Sequence, residues 1–84
     1  VYAATKAGLS AFAKSVQEEV KGFDINVNVI QPSVIDTPTN RRDMPKADFS
    51  AWVTPESLAE FALGLFGNLG ASIRGANLPV AGRL

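Results

Sequence analysis

Hydrophobic and polar positions follow more than one rhythm along this chain. Residues 2–21 are rich in alanine and free of proline. At about 100° per residue, Leu9, Ala13, Val16 and Val20 fall on one narrow face. Nearly opposite, Ala4, Gly8, Ala11 and Ser15 make a second face of small side chains, which another helix backbone could approach closely. Two contact faces predict a helix packed between layers, not one lying on a free surface. Lys21 and Gly22 supply a cationic last turn and a glycine stop. The rhythm then shortens to two. Ile25, Val27 and Val29 alternate with Asn26 and Asn28, predicting a strand over residues 25–30 of the kind found in parallel sheets.

Residues 31–53 sustain no period and contain three prolines, so they read as one long loop. Loops longer than about 12–15 residues are uncommon in compact domains and often serve as functional lids. Thr54, Pro55 and Glu56 then start a helix as N-cap, first helical residue and first-turn acid. Leu58, Phe61, Ala62 and Leu65 recur at i, i+3, i+4 and i+7 and predict one buried face, with Gly67 and Gly70 ending the helix. Residues 75–82 read as a short strand or extended tail. The order is helix, strand, long loop, helix, strand, an α/β arrangement whose last three elements form a βαβ unit with parallel strands. Two parallel strands flanked by two helices cannot bury both sheet faces, so the chain needs more sheet than it contains.

Composition narrows the chemistry. Eight basic and eight acidic side chains cancel, and Arg41-Arg42 is the longest basic run, so no electrostatic footprint for nucleic acid is present. No apolar stretch approaches the roughly 20 residues of a membrane-crossing helix. Without cysteine or histidine there is no disulfide, thiolate nucleophile, Ser-His-Asp triad or imidazole ligand, and the scattered acids match no metal-binding spacing. The opening residues lack the shape of a secretory signal, and a chain that starts at Val1 without methionine points to an internal start.

Tyr, Lys, Asp and Glu remain as acid-base candidates. Tyr2 and Lys6 form an i, i+4 pair at the start of the core-facing stripe, where a charged head is costly without a partner. An isolated phenol titrates near ~10, and a fixed cation a few Å away favours its phenolate form. The helix N-terminus adds positive potential at the same end. The pair is also compatible with two side chains snorkelling at a helix end.

The run YAATKAGLSAFAKSVQEEV, an apolar strand, and Pro32-Ser33-Val34-Ile35-Asp36-Thr37 resemble the C-terminal half of the short-chain dehydrogenase/reductase family. There a Y-x-x-x-K helix is followed by a strand ending in a PG-x-x-x-T loop, a T-P-E-type helix start and a last strand near a glycine. Thr54-Pro55-Glu56-Ser57 and residues 75–82 match the later segments, so the resemblance runs over nearly the whole chain. Ser33 stands where the family usually has glycine. The family's glycine-rich dinucleotide fingerprint and catalytic serine lie upstream of Y-x-x-x-K and are not in this sequence. A narrower likeness covers residues 36–52, whose DTPTNRRDMPKADFSAW is similar to the lid segment of dihydropteridine reductases.

The resemblance implies the C-terminal part of a Rossmann-like doubly wound parallel sheet, incomplete as given. Residues 1–84 would be the C-terminal segment of a single reductase domain whose N-terminal dinucleotide-binding half is absent. It implies an NAD(P)-dependent oxidoreductase that transfers hydride from NAD or NADP cofactor to a small carbonyl- or pteridine-type substrate. Tyr2 would be the general acid/base. Lys6 would favour the phenolate and bond the nicotinamide ribose. Pro32, Val34 and Ile35 would line the nicotinamide, and Thr37 would bond its carboxamide or the phosphates. Residues 38–53 would cover the substrate, with Phe49 and Trp52 either as apolar walls or as packing anchors. Asp36 reads as a turn former, Arg41-Arg42 as a solvated or salt-bridged pair, and Asn26 and Asn28 as sheet-edge or loop-contacting amides. No metal, nucleic acid or membrane is expected. The small-residue face suits a homodimer or homotetramer, and the enzyme would be cytoplasmic. The competing readings are a non-catalytic relative that keeps the fold as a scaffold, and an inactive fragment.

Overall fold

A computed structural model describes residues 1–83. Helix α1 spans Tyr2–Glu19, strand β1 Val29–Pro32, helix α2 Pro38–Asp43, helix α3 Pro55–Phe66 and strand β2 Asn77–Val80. Single 3₁₀ turns at Phe49–Ala51 and Asn68–Gly70 precede and follow α3. The two strands pair in parallel, Val29 opposite Asn77 and Pro32 opposite Val80, as the βαβ reading expects. Just beyond them, Ile35 and Val53 form a separate parallel bridge.

Helix α1 forms where the alanine-rich run predicts it, but its apolar stripe is unevenly covered. Ala13 is buried and Val16 and Val20 are half-buried, while Leu9 stays exposed, because nothing in the described chain packs over the helix's N-terminal half. The best-buried polar side chain on α1 is Gln17. Its amide donates from Nε2 to Ile25 O at 3.0 Å, and its Oε1 accepts the Val27 N–H at 2.6 Å. Both polar ends of a buried amide are thus satisfied by backbone. Gly75, at φ +67°, passes so close that a Cβ there would lie 3.3 Å from Gln17 Cγ.

Strand β1 begins four residues later than the alternation predicts. Residues 25–28 lie outside the strand and are held by side chains. Asn26 Nδ2 donates to the carbonyls of Gly70 and Ala71. Asn28 Nδ2 donates to Ile73 O at 2.9 Å, and its Oδ1 accepts the Ala76 N–H at 2.9 Å. Of the two roles expected of them, both asparagines take the loop-contacting one. Regular pairing starts only at Val29 and runs through Gln31 into Pro32, where the missing proline N–H falls at the strand's last residue.

The long loop is more ordered than its composition predicts. Thr37 caps α2, accepting the Asn40 N–H at 3.2 Å, with Pro38 at the first helical position. Asp48 caps the following 3₁₀ turn through the Ser50 N–H. Helix α3 starts as predicted, with Thr54 Oγ1 accepting the Ser57 N–H at 3.0 Å. Its expected buried face is only half-covered, and Phe61, Leu63 and Phe66 are exposed.

These open faces have a measurable extent. The radius of gyration is 15.0 Å, where a compact chain of this length would have about 12 Å. The accessible surface is 6204 Å², roughly 1,400 Å² more than the ~4,800 Å² of a compact monomer of this mass. The excess supports the inference that this α/β layer belongs against further sheet and helix.

Candidate functional site

The carboxyl ends of β1 and β2 and the N-terminal turns of α1 meet around an open cleft of about 560 Å³. Tyr2, Ala3, Lys6 and Leu9 form its helical wall, β1 its floor, and Ser33, Ile35, Pro79 and Ala81 its far end. In open parallel sheets, ligands bind at the carboxyl ends of the strands. Tyr2 is the first residue of α1 and Lys6 follows one turn on, so both side chains rise from the same face. The Lys6 ammonium lies 5.4 Å from the Tyr2 ring centroid, within range of a cation–π attraction. Tyr2 is three-quarters exposed, and neither head group joins a hydrogen bond or salt bridge among the described residues. A phenol hydroxyl and a cation thus stand free at the wall of a mostly apolar cleft, beside the positive end of a helix.

Ser33 fits its position despite replacing the family's usual glycine. Among the described residues only glycines take a positive φ, so serine meets no backbone penalty here. Its N–H donates to Val80 O at 3.0 Å and its hydroxyl to Ala81 O at 2.9 Å, closing the cleft's far end.

Of the residues expected at the site, Tyr2, Lys6, Pro32 and Ile35 come together in the cleft. Val34 and Thr37 lie outside its lining. Val34 O accepts the Val53 N–H at 3.0 Å, and the Thr37 hydroxyl is engaged in capping α2. Phe49 and Trp52 do not line it either. Their rings pack 4.8 Å apart at 51°, and Trp52 is only 6% exposed, which makes it a packing anchor of the loop. The Arg41 guanidinium also lies over the Phe49 ring, 4.5 Å from its centroid. Arg41 in turn holds Asp36 by two bonds, Nε to Oδ1 at 2.6 Å and Nη2 to Oδ2 at 2.8 Å. Those hydrogen bonds hold the Asp36 carboxyl below the usual carboxylate range. Asp36 is therefore an ion-pair partner, not the simple turn former expected, and Arg41 is the salt-bridged member of its pair. The Ser50 hydroxyl and N–H likewise lower Asp48.

Eight cleft residues lie outside the expected set: Ala3, Leu9, Val29, Ile30, Gln31, Ser33, Pro79 and Ala81. Leu9 belongs to the stripe expected to pack, and that stripe opens onto the cleft. Pro79 and Ala81 enter through the parallel register, which a sequence shows only once the two strands are paired. Among the described residues no cluster of His, Cys, Asp or Glu could hold a metal ion, and no helix is long and apolar enough to cross a membrane.

The geometry is thus a parallel α/β layer with a tyrosine and a lysine one turn apart at its carboxyl-end cleft. The family described as short chain dehydrogenase matches residues 1–48, more than half of the sequence, and the chain belongs to that family. It is 38% identical to the 3-oxoacyl-(acyl-carrier-protein) reductase FabG of Chlamydia muridarum over 96% of this chain and 36% of that protein. With the FabG of Chlamydia pneumoniae it shares 36% identity over 99% and 37%. Among solved structures it is similar to a 3-oxoacyl-(acyl-carrier protein) reductase with bound NAD from Brucella melitensis, at 30% identity and TM-score 0.77, covering 99% of this chain and 32% of that one. The L-sorbose reductase of Gluconobacter frateurii, crystallised with NADPH and L-sorbose, matches at 30% identity and TM-score 0.78 over 96% and 38%. The chain thus spans a little over a third of the length of these curated relatives, and its fold is part of a Rossmann-type doubly wound sheet.

Proposed function

We propose that the protein carrying this chain is an NAD(P)-dependent oxidoreductase acting on a small carbonyl substrate, and that residues 1–84 are the C-terminal segment of its single catalytic domain. The observation that carries the reading is that Tyr2 and Lys6 open onto one cleft at the carboxyl ends of two parallel strands. The lining suits a nicotinamide: Pro32, Ile35 and Pro79 offer an apolar wall for a flat ring, and the Lys6 ammonium offers donors for sugar hydroxyls. When bound in reduced form, the nicotinamide supplies hydride to the carbonyl carbon. Tyr2 passes its phenol proton to the carbonyl oxygen, and Lys6 stabilises the phenolate that remains. Val34, Ile35 and Thr37 sit on the segment that leaves the cleft, and the Thr37 hydroxyl, having accepted its capping bond, keeps its own proton to donate to the cofactor.

The lid does not decide between a pteridine and a small carbonyl substrate. Of residues 36–52, which carry that likeness, Asp36, Thr37, Asn40, Arg41, Asp48, Phe49 and Trp52 hold the lid together. They explain a shared lid fold without requiring a shared substrate. Half-exposed Phe49 is the lid aromatic left to meet a substrate, with Trp52 buttressing it. The exposed small-residue face of α1 supports association of two copies, and a cytoplasmic location belongs to the same reading.

The test is reduction of a carbonyl panel with NADH or NADPH by the whole protein and its Tyr2→Phe variant. Loss of turnover with unchanged circular dichroism is expected. Retained turnover would take Tyr2 out of the chemistry.

A further inference from the structure

The cleft and residues 36–53, the proposed cover, are joined by two consecutive residues, Gly82 and Arg83. Ala81 lines the cleft, and Ser33 ties its carbonyl at 2.9 Å. The chain then turns at Gly82, which takes φ +64°. A Cβ at that position would stand 2.6 Å from Ala51 O, 3.3 Å from the Trp52 carbonyl carbon and 3.3 Å from Val53 Cγ2. Two of these atoms are backbone, so no side-chain rotation relieves the clash. From the next residue, the Arg83 N–H donates to the same Ala51 O at 2.9 Å.

Ala51 closes the 3₁₀ turn that carries Phe49, and the following Trp52 and Val53 are among the most buried residues described. Val53 bridges back to Ile35, which lines the cleft. The bonds inside the cover (Arg41 to Asp36 and over Phe49) brace it as a unit but do not locate it relative to the sheet. The contact at Ala51 does.

We propose that Gly82 and Arg83 are positioning residues: they strap the root of the cover to the exit of β2 and so set where the cover stands beside the cleft. Gly82 does this through its missing side chain and left-handed backbone, and Arg83 through its backbone N–H. The strap's effect on substrate rests on the cleft being the active site; the strap itself does not.

The experiment compares Gly82→Ala and Arg83→Pro in the whole protein, with Gly22→Ala as control because a Cβ there meets nothing within 4 Å. Arg83→Pro deletes the donor while leaving Gly82 in place, and serves if Gly82→Ala does not fold. Hydrogen–deuterium exchange is read at the Ala51, Trp52 and Val53 amides, all hydrogen-bonded here. A rise of about tenfold at these three in both variants, with α1 amides unchanged, is expected. Unchanged exchange at the three, or an equal rise along α1, overturns the strap. Kinetically, the substrate KM should rise several-fold with kcat held, since the cover moves and Tyr2 does not. A fall in kcat alone overturns the positioning role. Exchange reads the strap whatever the chemistry is, and Tyr2→Phe reads the chemistry whatever the strap does, so the two failures are separable.

Discussion

The cleft and the cover beside it are built on opposite plans. At the cleft, the Tyr2 and Lys6 head groups have only each other for company, and the tyrosine is largely exposed. In the cover, nearly every polar group is engaged locally: Asp36 with Arg41, Thr37 and Asn40 within α2 and its approach, Asp48 with Ser50. A group that must meet a ligand has to stay free of its neighbours, whereas a loop that must keep one shape has to satisfy its own backbone. The contrast therefore separates residues that the fold consumes from residues left for chemistry.

The largest expected effect lies on the free side. Tyr2→Phe should lower turnover by at least about 100-fold, the usual reach of a positioned acid. Exchange within the cover should not change. Next comes the anchor of the engaged side: Trp52→Ala, which empties a buried indole, should cost about 3 kcal/mol in denaturant unfolding. Gln17→Ala leaves the Ile25 carbonyl and Val27 N–H without their partner and should cost about 1–3 kcal/mol, with faster exchange at Val27.

The smallest effect is tied to pH. The folded Asp36 carboxyl titrates below its unfolded value, so its pairing contributes stability above about pH 4 and loses it as pH falls through the lower, folded value. Asp36→Asn should remove that acid-dependent step from the Trp52 environment, read by indole fluorescence or fluorine labelling, and change little at neutral pH because the Arg41 side of the pair is half-exposed. An unaltered acid transition in the variant would assign the step to another carboxylate.

The same contrast explains what a reader of the sequence could see. Helix α1, the start of α3, the parallel pair and the Tyr2–Lys6 spacing all follow from periodicity and capping, which are local. Helix α2 was legible in principle: Thr37-Pro38 carries the same cap-and-proline signal as Thr54-Pro55. With only six residues it is too short to display a period, so three prolines outweighed the cap. The late start of β1 was not legible, because Asn26 and Asn28 reach backbone more than 40 residues away. Gln17 was invisible for a similar reason: it looks like any surface glutamine until residues 25–27 fold back beneath it. Phe49 and Trp52 showed their aromatic character but not their partner, since stacking on each other and opening toward a ligand need the same residue types.

The most direct test is a structure of the whole protein with its nicotinamide cofactor and a carbonyl substrate bound, read at one distance. The Tyr2 hydroxyl should stand within about 2.6–3.2 Å of the carbonyl oxygen, with Lys6 on the ribose side of the same cleft. A substrate bound elsewhere, with both side chains turned to open water, would contradict the account.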